Sequence, residues 1–393
     1  MRVVVLTGGQ TKRMLPLTEG YSRALLNIMG KPLFMYPLQT ALKVVAGKGL
    51  VVTSSDTPLG EIIRHLQATG LSAHVSVKTQ QEPGIEGALL ASREFTEGEE
   101  WFMLVYGDVI VNEEAFRLVL DVHAGSGRPS ALLIPSSNIQ SFGSAIVREN
   151  MITRFLPGGS SDETSYVVGG IFILPSEFFS LLKNDSSFFE ALNQLIEKTG
   201  VYAAFWTGDW IAVDYPWDLI NALYSLIDKK CGKIIAPSAK VSPTAILEGC
   251  VIIDEGATVD HYAVIKGPVY IGRNSFIGMG AFIREYTSIE ENVVVGAYSE
   301  IKRSVLQPFS TVGSFSLITD SVFGYGSVAE PRTTVISMLP ENFTAVRELP
   351  LQGIVGKKKK LGAFVSPYAR IKSGTVLGPA VKVHRDGHIE GVQ

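Results

Sequence analysis

The chain has 393 residues, 46% of them hydrophobic and 19% charged, a length that suggests two domains. Thirty-five basic against 38 acidic residues leave a net charge of −3, which argues against nucleic-acid binding through bulk charge. No apolar run reaches the roughly 18 residues of a membrane span, and MRVVVLTGG at the N-terminus reads as a strand entering a turn rather than a signal peptide. Cys231 and Cys250 stand at no metal-like spacing; so few cysteines predict no disulfide framework and a reducing, cytoplasmic home.

Residues 1–228 alternate strand and helix signals. Arg2–Leu6 predicts a short apolar strand, Pro32–Val45 a helix, Leu50–Thr53 a strand and Leu59–Ala68 a helix. His74–Val77 follows as a strand, Ala88–Phe95 as a helix, and Trp101–Tyr106 as an apolar strand ending at Gly107-Asp108. This order predicts a mostly parallel sheet covered by helices. Ligands of such sheets sit at the carboxyl ends of the strands, where Thr7-Gly8-Gly9 and Gly107-Asp108 fall.

Residues 229–393 follow another rule. From Ile235 an aliphatic residue recurs every six positions through Val241, Leu247, Ile253 and onward to Ile301. The frame slips by one, continues at Leu306, Val312 and Ile318, and resumes after an interruption at Val365, Ile371, Leu377 and Val383. A period of six with inward aliphatics predicts a parallel β-helix whose stacked coils bury one continuous core.

The run Thr7-Gly8-Gly9-Gln10-Thr11-Lys12-Arg13, then Pro16 and Thr18, then Arg23-Ala24-Leu25 and Gly30-Lys31-Pro32-Leu33 resembles the signature of sugar-1-phosphate nucleotidyltransferases. Glycines there let backbone N–H groups approach a triphosphate, and a fixed arginine neutralises charge on the leaving pyrophosphate. Gln80-Gln81-Glu82-Pro83-Gly84, Tyr106-Gly107-Asp108, Phe142-Gly143 and Gly169-Gly170 fall in the same register. Together with the hexads and Leu361-Gly362-Ala363-Phe364, the whole chain is similar to archaeal bifunctional enzymes that join nucleotidyltransferase and amino-sugar acetyltransferase halves. The resemblance implies an α/β Rossmann-like domain followed by a left-handed β-helix. It implies that Arg13 and Arg23 are catalytic cations and that Asp108 binds the catalytic Mg²⁺. Thr7, Gly8, Gly9, Gln80 and Gly84 would take the nucleotide, and Gly143 and Gly170 the sugar. Lys359 and Lys360 would meet a coenzyme A phosphate. The partners so implied are a nucleoside triphosphate, a sugar phosphate or nucleotide sugar, and further subunits, either a homotrimer built through the β-helix or a hetero-oligomer with an active paralogue; no nucleic acid or membrane is among them.

Several positions depart from the pattern. Thr11 replaces a loop glycine and Ser22-Arg23 a Pro-Lys pair. Gly84-Ile85-Glu86 places a carboxylate where an anionic substrate passes, and Phe155-Leu156-Pro157 replaces a Glu-Lys-Pro sugar motif. Val168 replaces an asparagine. The second metal-binding aspartate aligns with Ala212, leaving Asp214 as its substitute. The acetyltransferase histidine position falls at Ser314, so the resemblance supplies no amine base there, and His261 reads as a surface residue. Three readings stay open: a nucleotidyltransferase of altered specificity, a non-catalytic regulatory or assembly subunit, and an acyltransferase driven by the β-helix alone. Trp206, Trp210 and Trp217 are expected to pack the junction between the halves. Phe309, Phe315 and Phe323 are expected at exposed hexad corners, where they would form a subunit contact.

Overall fold

The structure, a computed structural model, describes residues 1–8, 12–135, 142–158, 165–182, 186–228, 231–338 and 360–391. Its chain forms two compact units, Met1–Gly9 with Leu33–Ala212, and Gln10–Pro32 with Val213–Gln393. The segment of residues 10–32 therefore belongs with the C-terminal half, whereas the sequence suggested a single boundary after residue 228.

The first unit is built on a nine-stranded sheet. Its strands are β1 (Arg2–Leu6), β2 (Gly49–Thr53), β3 (Val75–Thr79), β4 (Trp101–Tyr106), β5 (Ser130–Ile134), β6 (Ser144–Arg148), β7 (Met151–Leu156), β8 (Ser165–Pro175) and β9 (Val201–Phe205). They lie in the order β3-β2-β1-β4-β8-β5-β9-β7-β6. The first four are parallel, as expected from their intervening helices α1 (Met35–Val45), α2 (Leu59–Ala68) and α3 (Gly84–Thr96); helix α4 (Glu113–Ser126) follows β4. Beyond β4 the expectation of a mostly parallel sheet fails: β8 runs antiparallel to both its neighbours, and β7 antiparallel to β6 and β9. Strands 144–156 are joined by a tight turn and have no helix between them, and such a connection reverses direction. The core of this unit is aromatic, with Phe102, Phe155, Phe172, Phe178 and Phe188 buried together.

In the second unit the hexads form three sheets, one of nine and two of seven strands, parallel throughout except that Ile389–Gly391 closes the larger one antiparallel to Val381–Val383. Each strand pairs with the one a coil later, Val251–Ile253 with Val269–Ile271 for example. The inward aliphatics from Ile253 to Val383 form one buried cluster. The slip before Leu306 and a second one, between Ile318 and Phe323, are shortened corners, so that Leu306 pairs under Phe323. Phe323 is thus a core residue, fully buried, and not at an exposed corner as expected; Phe309 and Phe315 are at corners and exposed. Corner residues such as Tyr298 (φ 57°) and Phe315 (φ 59°) take the left-handed conformation, which is costly for aromatic residues; their rings stack at 5.5 Å.

Cys231 and Cys250 form a disulfide with Cα atoms 5.1 Å apart, contrary to the sequence expectation. The coil repeat explains it. Lys233 lies in register with Val251, so residues 19 apart stand on adjacent rungs. Bonded cysteines also remove the ground for inferring a reducing compartment. Among the described residues no helix is long and apolar enough to cross a membrane. The tryptophans differ from expectation too. Trp206 donates to Asp209 O (3.1 Å) and Trp210 to Gly169 O (3.0 Å) inside the first unit, while Trp217 is buried against Tyr215 and Phe364 inside the second.

Ile301 is fully buried among the inward aliphatics, whereas Val294, on an outer face, is 40% exposed. We expect Ile301→Ala to lower unfolding free energy by about 2–5 kcal/mol and Val294→Ala by less than about 1 kcal/mol, read from urea midpoints.

Candidate nucleotide site

The strand order turns back between β1 and β4, the switch point at which open α/β sheets bind ligands. Leu6 is in register with Tyr106, and the Gly107 N–H donates to Leu6 O at 2.8 Å. A Cβ on Gly107 would lie 2.7 Å from Thr7 Cγ2, so glycine keeps the two strand ends together and sets Asp108 beside the Thr7-Gly8 turn. Thr7 is tied to β2, its N–H and hydroxyl both donating to Val52 O (2.8 and 3.0 Å). Gly8 faces Gln80, whose Oε1 is 2.1 Å from where a Cβ would sit. The Gln80 amide nitrogen donates to Glu82 O and Gly84 O (2.8 and 3.3 Å). Its buried Oε1 has no partner among the described residues, an acceptor that is costly to leave unmet. Gly9 and Thr11 lie outside the described residues.

Glu86 does not obstruct an anion as its position in the sequence suggested. Its carboxylate accepts the Phe188 N–H at 2.6 Å, capping the helix α5 (Phe188–Thr199), where a negative charge is favourable. The expected sugar-side glycines lie close together: Val168 N–H donates to Gly143 O (2.9 Å), and Gly170 (φ 79°) forms part of an irregularity between Val168 and Phe172. A Cβ at Gly170 would meet Tyr106 at 2.8 Å, and one at Gly143 the Phe189 ring at 2.3 Å. Burial pushes the Tyr106 phenol up, and the charges of Asp108 and Glu86 push it further. Phe155, in place of the sugar-motif glutamate, is core; its backbone pairs with the Asn193 amide.

The expected second metal position, Ala212, pairs across the strand ladder with Val109, the residue after Asp108. A methyl therefore stands next to the Asp108 position where a ligand was expected. Among the described residues no three His, Cys, Asp or Glu side chains gather as a metal site. One carboxylate still fits a hard divalent cation that takes most of its ligands from phosphate oxygens and water.

The second unit brings the cations together. Arg13 and Arg23 both pair with Asp214, at 3.3 and 3.1 Å. The Arg23 side chain is 11% exposed and that of Arg13 44%, so the Arg23 pair is the less screened. Arg13 also lies over the Tyr215 ring at 5.8 Å. Asp214 is thus the counter-ion of two arginines. Sequence reasoning missed the residue that holds it. Asp218, at the start of helix α6 (Asp218–Leu226), accepts the N–H groups of Asp214 (3.0 Å) and Tyr215 (2.8 Å). The signal was present as an aspartate in the first turn of a predictable helix. Burial pushes Asp218 up to about 7, with the Asp214 charge adding to the rise and the two amides opposing it.

Of the acetyltransferase candidates, Lys360 forms an isolated bridge with Met338, and Lys359 lies outside the described residues. Ser314 is a half-buried corner residue whose carbonyl accepts the Arg332 N–H. His261 is an exposed corner residue 3.0 Å from the hydroxyls of Ser242 and Thr244.

The chain joins an α/β unit with a strand-order switch point to coils of hexad repeats. Residues 2–225 match the Nucleotidyl transferase family, and residues 250–285 and 268–303 match the bacterial transferase hexapeptide repeat. The chain belongs to the nucleotidyl transferase family. It is 24% identical to the bifunctional protein GlmU of Methanocaldococcus jannaschii, covering 98% of this chain and 95% of that protein. It is 23% identical to a bifunctional sugar-1-phosphate nucleotidylyltransferase/acetyltransferase of Sulfurisphaera tokodaii (98% and 94%). It is also 23% identical to mannose-1-phosphate guanylyltransferase 1 of Arabidopsis thaliana (86% and 98%). The fold of 56% of this chain superposes on 93% of a Bacillus anthracis chain described as a glucose-1-phosphate thymidylyltransferase, with TM-score 0.51 and 19% identity. These relatives are named for catalysis and give no support to the non-catalytic reading.

Because Asp218 sits near 7 when folded against an ordinary value of 3.8, the folded state holds the proton more tightly. Its contribution therefore falls as pH rises from about 4 to about 7 and is level above that. Asp218→Asn should remove this slope, so that guanidinium midpoints of variant and wild type diverge between pH 5 and pH 8.

Proposed function

We propose that this protein transfers a nucleotidyl group from a nucleoside triphosphate to a sugar 1-phosphate, releasing pyrophosphate. The observation that carries the reading is the strand-order switch point, where the Thr7-Gly8 turn and Asp108 stand side by side. The turn and its companion Gln80 form the nucleotide side. The buried Gln80 Oε1 suits an N–H donor of the nucleobase, since a donor there removes the cost of an unmet acceptor. Gly143 and Gly170, where a Cβ has no room, form the sugar side.

The sugar phosphate oxygen bonds to the α-phosphorus as the bond from that phosphorus to the departing oxygen breaks, and the electron pair leaves with pyrophosphate. Arg13 and Arg23 neutralise the growing negative charge, and Asp214 keeps the two guanidinium groups directed to one place between turnovers. Asp108 is the residue that would hold Mg²⁺, which supplies charge neutralisation to the triphosphate when bound. Substitution of the second aspartate by Ala212 leaves Asp108 as the one carboxylate assigned to that role.

Pyrophosphate release tests the reading directly. The protein is assayed with a panel of triphosphates and sugar 1-phosphates, with and without Mg²⁺. Turnover on at least one pair, lost on chelation, is expected; none on any pair rejects the proposal. Arg23→Ala and Asp108→Asn should each lower kcat by about 10²–10³.

The hexapeptide-repeat half is the proposed seat of self-association, as a trimer. Support comes from exposed aromatics along one corner: Tyr262 is 65%, Tyr298 52% and Phe315 60% exposed. Phe315→Ser combined with Tyr298→Ser should shift sedimentation toward the monomer; an unchanged coefficient places the contact elsewhere.

A further inference from the structure

We infer that the β-helix is the platform that positions Arg23 and its counter-ion Asp214, with Glu290 and Gln307 as the positioning residues. The inference rests on the reaction proposed above and adds residues that no motif of the N-terminal half contains.

A β-helix normally turns its polar outward residues to water. Here one column departs from that rule. The residue following each inward aliphatic of the first sheet includes Asp254, Glu290, Gln307, Ser366 and His384. Glu290, Gln307 and Ser366 are fully buried. Buried polar side chains need partners, and they find them in residues 19–30. Gln307 grips Asn27 with both ends of its amide: Oε1 accepts the Asn27 N–H at 2.7 Å and Nε2 donates to Asn27 O at 2.8 Å. Glu290 accepts the Met29 N–H at 2.9 Å and the Gly30 N–H at 2.8 Å, with Ser288 hydrogen-bonded to the same carboxylate. Met29 (φ 49°) and Gly30 (φ 76°) form the turn of the small hairpin joining Asn27–Ile28 to Lys31–Pro32, a shape that aims two successive amides at one anion. At the other end Glu19 accepts the Arg385 N–H at 3.0 Å and pairs with His384, and Tyr21 stacks on Tyr325 at 5.1 Å. The loop therefore runs against coil order, from Glu19 at the last coil to Gly30 at Glu290.

Two of the three members of the arginine–aspartate cluster, Arg23 and Asp214, are fixed to this same surface. Arg23 opens the short helix Arg23–Leu25, and its carbonyl accepts the Leu26 N–H at 3.1 Å, so a rigid turn separates it from the Gln307 grip on Asn27. Asp214 is fixed from the other side. Trp217 packs on Phe364 at 5.6 Å and Tyr224 stacks on Tyr286 at 3.7 Å, which docks α6 and its Asp218 on the coils. Loosening either anchor displaces a guanidinium without touching it.

The full-length chain is compared with Gln307→Ala, Glu290→Ala and the control Arg273→Ala, whose guanidinium pairs with Glu255 on the solenoid surface. Amide hydrogen exchange over residues 22–32 should quicken in the first two and stay unchanged in the control. In the pyrophosphate assay kcat should fall about 10–100-fold in the same two, with the control like wild type. Gln307→Glu, which keeps the acceptor for Asn27 N–H, should recover part of the loss. A merely structural role would lower thermal stability but leave kcat of the folded protein intact. Unchanged exchange at 22–32, or quickened exchange with wild-type kcat, overturns the inference. If wild type turns over no pair, the reaction assignment fails, and the exchange result alone decides whether the solenoid holds the loop.

Discussion

A carboxylate removed from water must be surrounded by donors, and in this molecule Glu290 takes, besides the neighbouring Ser288 hydroxyl, two backbone amides of a distant loop. Burial pushes Glu290 up to about 7, and the Ser288 hydroxyl with the Gly30 and Met29 amides pulls against that rise. Because the loop's donors are backbone groups, the interaction fixes the path of the chain rather than one side chain. The placement inferred for Arg23 follows from that path. It also explains why residues 10–32 share a compact unit with the coils, although in sequence they stand among the strands of the first.

The solenoid was legible because its signal is repeated: each coil votes for the same frame, and the inward aliphatics from Ile253 to Val383 are all in one cluster. What the hexads hid was the consequence of stacking. A spacing of 19 between Cys231 and Cys250 means nothing against metal-ligand spacings, yet it is one coil plus one residue. Phe323 was misplaced because a second shortened corner moved it into the frame of Leu306. In the first unit the parallel strands were legible through their helices, while residues 144–175 gave no periodicity that distinguishes antiparallel pairing from the rest.

At the site, local motifs pointed to Thr7, Gly8 and Asp108, because a strand end is set by its own sequence and the topology of its sheet. The side chains that decide how those residues are used come from far along the chain. Nothing near Glu86 in sequence shows that its carboxylate caps a helix 102 residues later. Nothing in WIAVDYPWDL announces that Arg13 and Arg23 meet Asp214 from 201 and 191 residues away. Charge pairs of this kind are tertiary facts, and only the spacing of Asp214 and Asp218 carried a local hint.

Arg13, Arg23 and Asp214 belong to the same compact unit as the coils. A chain ending at residue 228 would retain every one of them and still lose the partners of Glu19, Asn27, Met29 and Gly30. Leu25, Leu26 and Ile28, buried in the whole protein, would keep their places in sequence but not the buried polar column that holds the backbone between them. A motif count would score such a fragment as complete. Yet the fixed position of the Arg23 guanidinium depends on the backbone that carries it, and here that backbone is held by the coils.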